Sequence, residues 1–228
     1  QPAAFIAETI MGVGGYIVPP PGYFQRVAEI IRGYGGLLII DEVQAGFGRA
    51  GKYWFAIEHH GVLPDIMVMA KGIAGGFPVG ATITTDEIAA SWKGKTISTF
   101  GGNPVCMAAM CATLEVMKKE RVYYNAEERG RELRAGLLAL QARHPWIGDV
   151  RGMGLMQALE IVVDPVGKKP DAKRTNALLE ACRDEGLLLG HGGMWGQCVR
   201  IGPSLLVTAD EIAEGLEKLG RACAKVEG

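Results

Sequence analysis

The sequence lacks the features that mark membrane proteins and nucleic-acid-binding proteins. No apolar run approaches the ~18 residues that a membrane span needs. The 24 Lys and Arg side chains nearly balance the 25 Asp and Glu side chains, and the formal net charge is −1. Because there is no basic excess of the kind that attracts nucleic acid or an anionic bilayer, we expect neither partner.

Cysteine and histidine are too few and too scattered for a disulfide framework or a metal centre. The five cysteines are odd in number and form no C-x-x-C pair, and the four histidines lack the spacing of metal ligands. The cysteines are Cys106, Cys111, Cys182, Cys198 and Cys223. These observations predict buried reduced thiols, no metal site, and an intracellular, cytoplasmic location.

The first residues do not have the pattern of a signal peptide. They contain no basic region, and Glu8 interrupts the first apolar stretch. The chain starts with Gln1 rather than Met and leads almost at once into AAFIAE, which is typical of a strand. We therefore expect this chain to be the later part of a longer polypeptide, and an organellar location is left open.

The remaining composition is that of a packed globular chain, with 48% hydrophobic and 21% charged residues among 228. Apolar periodicity in the first part predicts strands and helices that alternate, and hence a mainly parallel α/β sheet. The predicted strands are 3–8, 37–40, 66–70 and 80–85, and the predicted helices are 23–32, 104–120 and 122–143. A smaller α+β unit follows, with strands 154–162, 186–190 and 198–202 and helices 172–185 and 208–225.

Two motifs imitate nucleotide-binding loops. GFGRAG (46–51) matches G-x-G-x-x-G, but five residues separate it from the preceding strand, and a bulky aromatic segment follows it. GKT (94–96) imitates the end of a P-loop, although Trp92 and Lys93 would obstruct a phosphate. An NAD-type oxidoreductase therefore stays only a distant alternative.

Asp41 and Lys71 form the most informative pair. Each follows a buried apolar run, and the gap of 71 − 41 = 30 residues allows a crossover between parallel strands. Ligands of α/β sheets bind at the carboxyl ends of strands, where we expect Lys71 to be partly desolvated. An amine opposite a carboxylate suits a Schiff-base lysine and an aspartate on a pyridinium nitrogen. Spacing alone leaves a structural ion pair equally open.

The segment DEVQAGFGRAGKYWFAIEHHGVLPDIMVMAKGIAGGFPVGA (41–81) resembles the signature region of the class III (omega) pyridoxal-phosphate aminotransferases. AAFIAETIMGVGG, STFGGNP and VRGMGLMQALEI fit in the family's order. The resemblance implies the fold type I of these enzymes. It also implies that residues 1–120 are the C-terminal part of the large domain that binds pyridoxal 5'-phosphate (PLP), 121–145 a connecting helix, and 146–228 a small C-terminal α+β domain.

The resemblance also implies roles for single residues. Lys71 matches the Schiff-base lysine, Asp41 the aspartate at the pyridine nitrogen, and Gln44 the glutamine near the phenolic oxygen. Thr99 matches a threonine that reaches the cofactor phosphate of the partner subunit, which implies a homodimer with shared active sites. Arg200 matches the arginine that grips the substrate carboxylate. From the residues alone, Gln44 and Thr99 could be turn residues and Arg200 an edge charge.

The family resemblance implies amino transfer from alanine or an omega-amino acid to glyoxylate or pyruvate, by a ping-pong Schiff-base mechanism. Val13 stands where the ornithine and 4-aminobutyrate enzymes have a glutamate in a G-E-x-G turn, which favours an alanine–glyoxylate type 2 enzyme. The family's phosphate-binding Gly-rich loop and stacked aromatic residue are not recognisable here. A decarboxylating or phospho-lyase enzyme and an inactive fragment are therefore alternatives.

Overall fold

The computed structural model describes residues 1–227 and separates them into two compact units. The first unit comprises Gln1–Thr9, Pro19–Phe47 and Tyr53–Arg121. The second comprises Ile10–Val18, Gly48–Lys52 and the chain from Val122 onward. Two short segments of the first half of the sequence therefore pack with the second unit, which no local pattern indicates. Residue 228, the last of the predicted small domain, lies outside the described part.

The first unit contains a four-stranded sheet in the order β1-β2-β3-β4. The strands are β1 (Ala4–Glu8), β2 (Leu37–Asp41), β3 (Ile66–Met69) and β4 (Ala81–Thr84). The first three are parallel, and β4 runs antiparallel to β3. The predicted α/β class and mainly parallel sheet are thus confirmed, and the parallel strands end at one edge.

Three α-helices belong to the first unit: α1 (Tyr23–Gly33), α2 (Asp86–Ala89) and α3 (Pro104–Lys119). Helix α1 packs on β2 because Phe24, Ala28 and Ile31 recur at helical spacing and are all buried. Helix α3 begins as predicted, since the Asn103 side chain accepts a hydrogen bond from the backbone N of Cys106 at 3.0 Å.

The second unit contains an antiparallel sheet in the order β5-β6-β8-β7. Its strands are β5 (Ile147–Met153), β6 (Met156–Ile161), β7 (Gly190–Gly192) and β8 (Cys198–Ile201), and its helices are α4 (Val122–Arg143), α5 (Ala172–Asp184) and α6 (Ala209–Lys225). One continuous apolar cluster joins the sheet to all three helices. No helix within residues 1–227 has the length and apolar character of a bilayer span.

In the second unit, one predicted strand is wrong and one observed strand was not predicted. The strand predicted at 186–190 is absent: β7 starts only at Gly190, because Leu187 and Leu189 pack on the core without joining the sheet. Strand β5 was not predicted, since Gly148, Asp149 and Gly152 are poor strand formers. Its pairing with β6 supplies the stability that the local sequence lacks.

The thiols differ from the prediction at one position. All five cysteines are free, and four of them are buried. Cys111 is exposed, because α3 buries only Cys106 among its sixteen residues. The prediction of buried thiols is therefore wrong for Cys111.

Candidate active site

The predicted carboxylate and amine lie at the ends of neighbouring parallel strands. Asp41 is the last residue of β2 and is the Cα partner of Val68 in β3. Lys71 follows Val68 by 71 − 68 = 3 residues, just beyond the end of β3. The structure therefore brings Asp41 and Lys71 to one edge of the sheet, where open α/β sheets place their ligands.

Lys71 has a left-handed backbone conformation, with φ of 50°. This conformation costs a residue with a Cβ atom roughly 1–2 kcal/mol, and such strain is concentrated at functional sites. The lysine opens a 3-10 helix, Lys71–Ala74, in which Ile73 and Ala74 are buried against side chains of α3. Packing of these two residues holds the lysine-bearing turn in place.

The Lys71 side chain is exposed, whereas partial desolvation was expected. The difference arises because the 3-10 turn carries the lysine beyond the end of a strand of only four residues. Within residues 1–227, no carboxylate forms an ion pair with Lys71 and no hydrogen bond occupies its amine. The structural ion pair with Asp41 is therefore absent from the described part, and the amine is available to a ligand.

The Asp41 carboxylate is fixed by its own turn. Oδ1 accepts a hydrogen bond from the backbone N of Val43 at 2.8 Å, and the side chain is half-buried. This Asx-type contact orients the carboxylate. Among the described residues no donor reaches Oδ2, so one oxygen can accept a hydrogen bond from a ligand.

Glu42 is a residue of this region that the sequence reasoning did not single out. It is completely buried, and its carboxylate accepts hydrogen bonds from Thr9, Ala56 and Ile57. Burial raises the pKa of Glu42, and these three donors oppose that rise. The adjacent acidic residues Asp41 and Glu42 at the end of a buried strand could have indicated this. Neighbouring side chains of a strand point to opposite sides, so one of the two had to point away from the ligand.

Gln44 and Thr99 lie in irregular segments of the first unit. Gln44 is half-buried in the turn that follows β2, three residues after Asp41. Thr99 is exposed in the segment between α2 and α3. In the described part of the chain, neither side chain forms a hydrogen bond with Asp41 or Lys71, so their predicted roles stay predictions.

The nucleotide-like motifs do not form nucleotide loops. GFGRAG lies in a series of turns and opens no helix, although a dinucleotide fingerprint must do so. In the second unit, the Arg49 guanidinium donates to the backbone O of Pro203 at 2.6 Å. GKT (94–96) is irregular and is followed by further turns. The fold therefore gives the NAD-type alternative no support.

Arg200 lies in β8 of the second unit. Its Nε donates to the backbone O of His191 at 2.9 Å, and its guanidinium carbon is 5.6 Å from the ring centroid of Tyr16. Its two terminal nitrogens have no hydrogen-bond partner among the described residues. A planar guanidinium held in this way can form two parallel hydrogen bonds with a carboxylate. Tyr16 is a contact that sequence reasoning missed.

The segment that carries Tyr16 brings no acidic group to Arg200. Residues 10–18 read IMGVGGYIV and pack in the second unit. The backbone O of Val13 accepts a hydrogen bond from the backbone N of Gly193 at 2.9 Å, and the Val13 side chain is exposed. The guanidinium is therefore not neutralised from this segment.

Comparison with known proteins matches residues 1–223 to the model of the family described as aminotransferase class-III. The chain is 42% identical over 225 residues to alanine–glyoxylate aminotransferase 2 homolog 2, mitochondrial, of Arabidopsis thaliana, covering 98% of this chain and 47% of that protein. It is also 42% identical to the human alanine–glyoxylate aminotransferase 2, mitochondrial, covering 94% and 42% of the two chains. Ethanolamine-phosphate phospho-lyase homolog 1 of Caenorhabditis elegans is 40% identical, with coverages of 95% and 48%.

Solved structures give the same result for the fold. An aminotransferase of Bacillus anthracis superposes with a TM-score of 0.93 at 36% identity, over 98% of this chain and 52% of that one. The chain therefore spans about half the length of the relatives that it matches.

Proposed function

Because this chain belongs to the class III aminotransferase family and has the fold type I architecture of its solved relatives, we propose that it forms part of a PLP-dependent aminotransferase. The proposed reaction moves an amino group from alanine or an omega-amino acid to a small 2-oxo acid, glyoxylate or pyruvate. The observation that carries the proposal is that Lys71 and Asp41 lie at one sheet edge, with the Lys71 amine unpaired among residues 1–227 and one Asp41 oxygen without a donor there. Within it, we assign residues 1–120 to the large domain, 121–145 to a connecting helix and 146–228 to the small domain.

The groups at the strand tips fit the cofactor. Asp41 Oδ2 is available to a protonated ring nitrogen, and the Lys71 amine is available to an aldehyde. Gln44, in the turn after β2, would donate to the phenolic oxygen. When bound, PLP supplies an electron sink for the electrons released at the substrate carbon.

The chain's own residues supply the remaining chemistry. With PLP bound, Lys71 Nζ would remove a proton from the substrate carbon and later donate a proton to complete the transfer. Asp41 would hold a proton at the ring nitrogen, and the Arg200 guanidinium would bind the substrate carboxylate. Donor and acceptor would use the same Lys71 amine in turn, as a ping-pong mechanism requires.

The choice of acceptor and the assembly are also proposals. The absence of an acidic residue in 10–18 leaves Arg200 available to a carboxylate next to the reacting carbon, which favours alanine and glyoxylate. We propose a homodimer in which Thr99 reaches the cofactor phosphate of the partner subunit. The compartment stays a prediction, since two relatives carry mitochondrial names and the composition favours the cytoplasm.

The test uses the complete polypeptide with added PLP. We expect a yellow chromophore that borohydride reduces, and alanine-dependent consumption of glyoxylate. Lys71→Ala should abolish both. Lys168→Ala is the matched control, because Lys168 is also exposed and left-handed, with φ of 48°, but lies in the second unit. Amino transfer that persists in Lys71→Ala would end the proposal.

A second candidate is a phospho-lyase on the same cofactor, which the relative named ethanolamine-phosphate phospho-lyase homolog supports. It predicts release of inorganic phosphate from ethanolamine phosphate. Parallel assays of phosphate release and of alanine–glyoxylate exchange on one preparation distinguish the two reactions. A spectrum of the 228-residue chain with PLP tests whether this portion alone is inactive.

A further inference from the structure

We infer that Glu42 is a positioning residue for the site proposed at Asp41, Gln44 and Lys71. Its buried carboxylate holds in place the end of β2, which carries Asp41, and the following turn, which carries Gln44. This inference rests on the proposed function and deepens it, since the comparisons and the family motif assign Glu42 no role. The contacts of the Glu42 side chain and backbone all lie within the first unit.

The Glu42 carboxylate has three donors. Oε1 accepts from Thr9 Oγ1 at 2.8 Å and from the backbone N of Ile57 at 2.8 Å, and Oε2 accepts from the backbone N of Ala56 at 3.0 Å. Thr9 directly follows β1, and Ala56 opens a 3-10 helix after the turn region. One side chain therefore ties the end of β1 to the far end of the segment that contains Gln44.

The Glu42 backbone completes the anchor. Its N donates to the backbone O of Val68 in β3 at 2.9 Å, and its O accepts from the backbone N of Gly46 at 3.1 Å. A Cβ atom at Gly46 would lie 2.7 Å from that oxygen, so the turn closes only around glycine. Gln44 lies between the two residues that this hydrogen bond joins. Its placement therefore depends on the position of Glu42.

Glu42 does not face the ligand side. Side chains alternate along a strand, and Asp41 is half-buried whereas Glu42 has no exposed surface. In the described part of the chain, no Lys or Arg forms an ion pair with Glu42. Its partners are two backbone N–H groups and one hydroxyl. Because the N–H groups only donate, they require an acceptor at both oxygens, and burial makes an unmet donor costly.

Substitution by glutamine tests this requirement with almost unchanged shape. In either orientation of the amide, an NH2 group would face the N–H of Ala56 or of Ile57, at positions now 3.0 and 2.8 Å from an oxygen. Thr9→Val removes only the hydroxyl and keeps both backbone bonds, whereas Thr9→Ser retains the donor. Glu29→Gln, on the exposed surface of α1, is the control for loss of a carboxylate.

The experiment measures PLP affinity of the complete polypeptide by absorbance titration, and amide hydrogen exchange of residues 43–57 without cofactor. We expect Glu42→Gln to weaken PLP binding roughly ten-fold or more and Thr9→Val a few-fold, because buried hydrogen bonds are lost. Exchange should rise in the same order, and Thr9→Ser should restore most of the affinity. Glu29→Gln should bind PLP as the unmodified protein does.

The outcomes separate this inference from the proposed function. Unchanged PLP affinity in Glu42→Gln, with or without a lower melting temperature, would overturn the positioning role alone. If Glu42→Gln does not fold, equal affinities of Thr9→Val and the unmodified protein overturn it instead. Failure of the unmodified protein to bind PLP would overturn the proposed function and, with it, this inference.

Discussion

The two units differ in where their apolar surface lies. In the second unit, α4 alone buries six residues, and one cluster joins its three helices to the sheet. In the first unit, α3 buries only Cys106, and Ile97 and Phe100 between α2 and α3 are 94% and 80% exposed. The strained Lys71 and the half-free Asp41 lie in this less enclosed unit. Lys71 lies in a 3-10 turn and Asp41 at the end of a strand, positions that a ligand can approach without displacing core packing.

The largest expected effect tests the packing of the second unit. Leu137 is completely buried in α4, and its neighbour Leu138 is 45% exposed. Leu137→Ala should lower the free energy of unfolding by about 2–5 kcal/mol, since it removes buried methyl groups and leaves a cavity. Leu138→Ala should change it by less than about 0.5 kcal/mol. Urea denaturation measures both changes in the free energy of unfolding. Equal losses in Leu137→Ala and Leu138→Ala would show that the buried cluster does not dominate the stability of this unit.

A second test concerns a close backbone approach in the same unit. Gly154 has φ of 52°, and a Cβ atom there would lie 2.4 Å from the carbonyl carbon of Ala50. Gly154→Ala should therefore destabilise by about 1–3 kcal/mol. At Gly215 in α6 no atom of the described residues lies within 4 Å of an added Cβ, so Gly215→Ala should stabilise by about 0.5–1 kcal/mol. The melting temperature should fall in Gly154→Ala and rise in Gly215→Ala. Equal decreases in both variants would contradict the close backbone approach at Gly154.

A third test moves to the first unit. Lys71→Gly removes the left-handed strain and a side chain that pairs with no carboxylate among residues 1–227, so it should stabilise the chain by roughly 0.5–1 kcal/mol. Lys71→Ala keeps the strain and should leave stability almost unchanged. Both should abolish amino transfer. A loss of stability in Lys71→Gly, measured by urea denaturation, would show that the conformation is not strained.

The smallest effect is a pH dependence in the second unit. Lys225 and Arg221 lower the pKa of Glu185 to about 2. Because the native pKa is depressed, this contribution to stability is complete above the unfolded-state value of about 4.3 and is lost as the pH falls toward 2.

The melting temperatures of the unmodified protein and of Glu185→Gln should therefore converge as the pH falls through this window. Glu217→Gln is the control, since Glu217 pairs with the same Arg221 but is 74% exposed. A constant difference between Glu185→Gln and the unmodified protein down to pH 2 would count against the network.

The match between predicted and observed elements is good where a pattern is local. Strands β1 to β4 and all the predicted helices follow from apolar periodicity and from caps such as Thr208, whose side chain accepts from the backbone N of Glu211 at 3.2 Å. Strand β5 follows from pairing with β6, and the packing of 10–18 with the second unit involves contacts distant in sequence. Non-local contacts of this kind leave no trace in a short window.

The amino-acid sequence alone places Asp41 and Lys71 near the carboxyl ends of two parallel strands, because buried strands and their crossover have recognisable lengths and compositions. The three-dimensional packing sets how these groups are held, through the left-handed backbone of Lys71, the turn contact of Asp41 and the three donors around Glu42. These features depend on which backbone groups meet in three dimensions. A residue's type limits the bonds it can form, and the packing around it selects the bonds that exist.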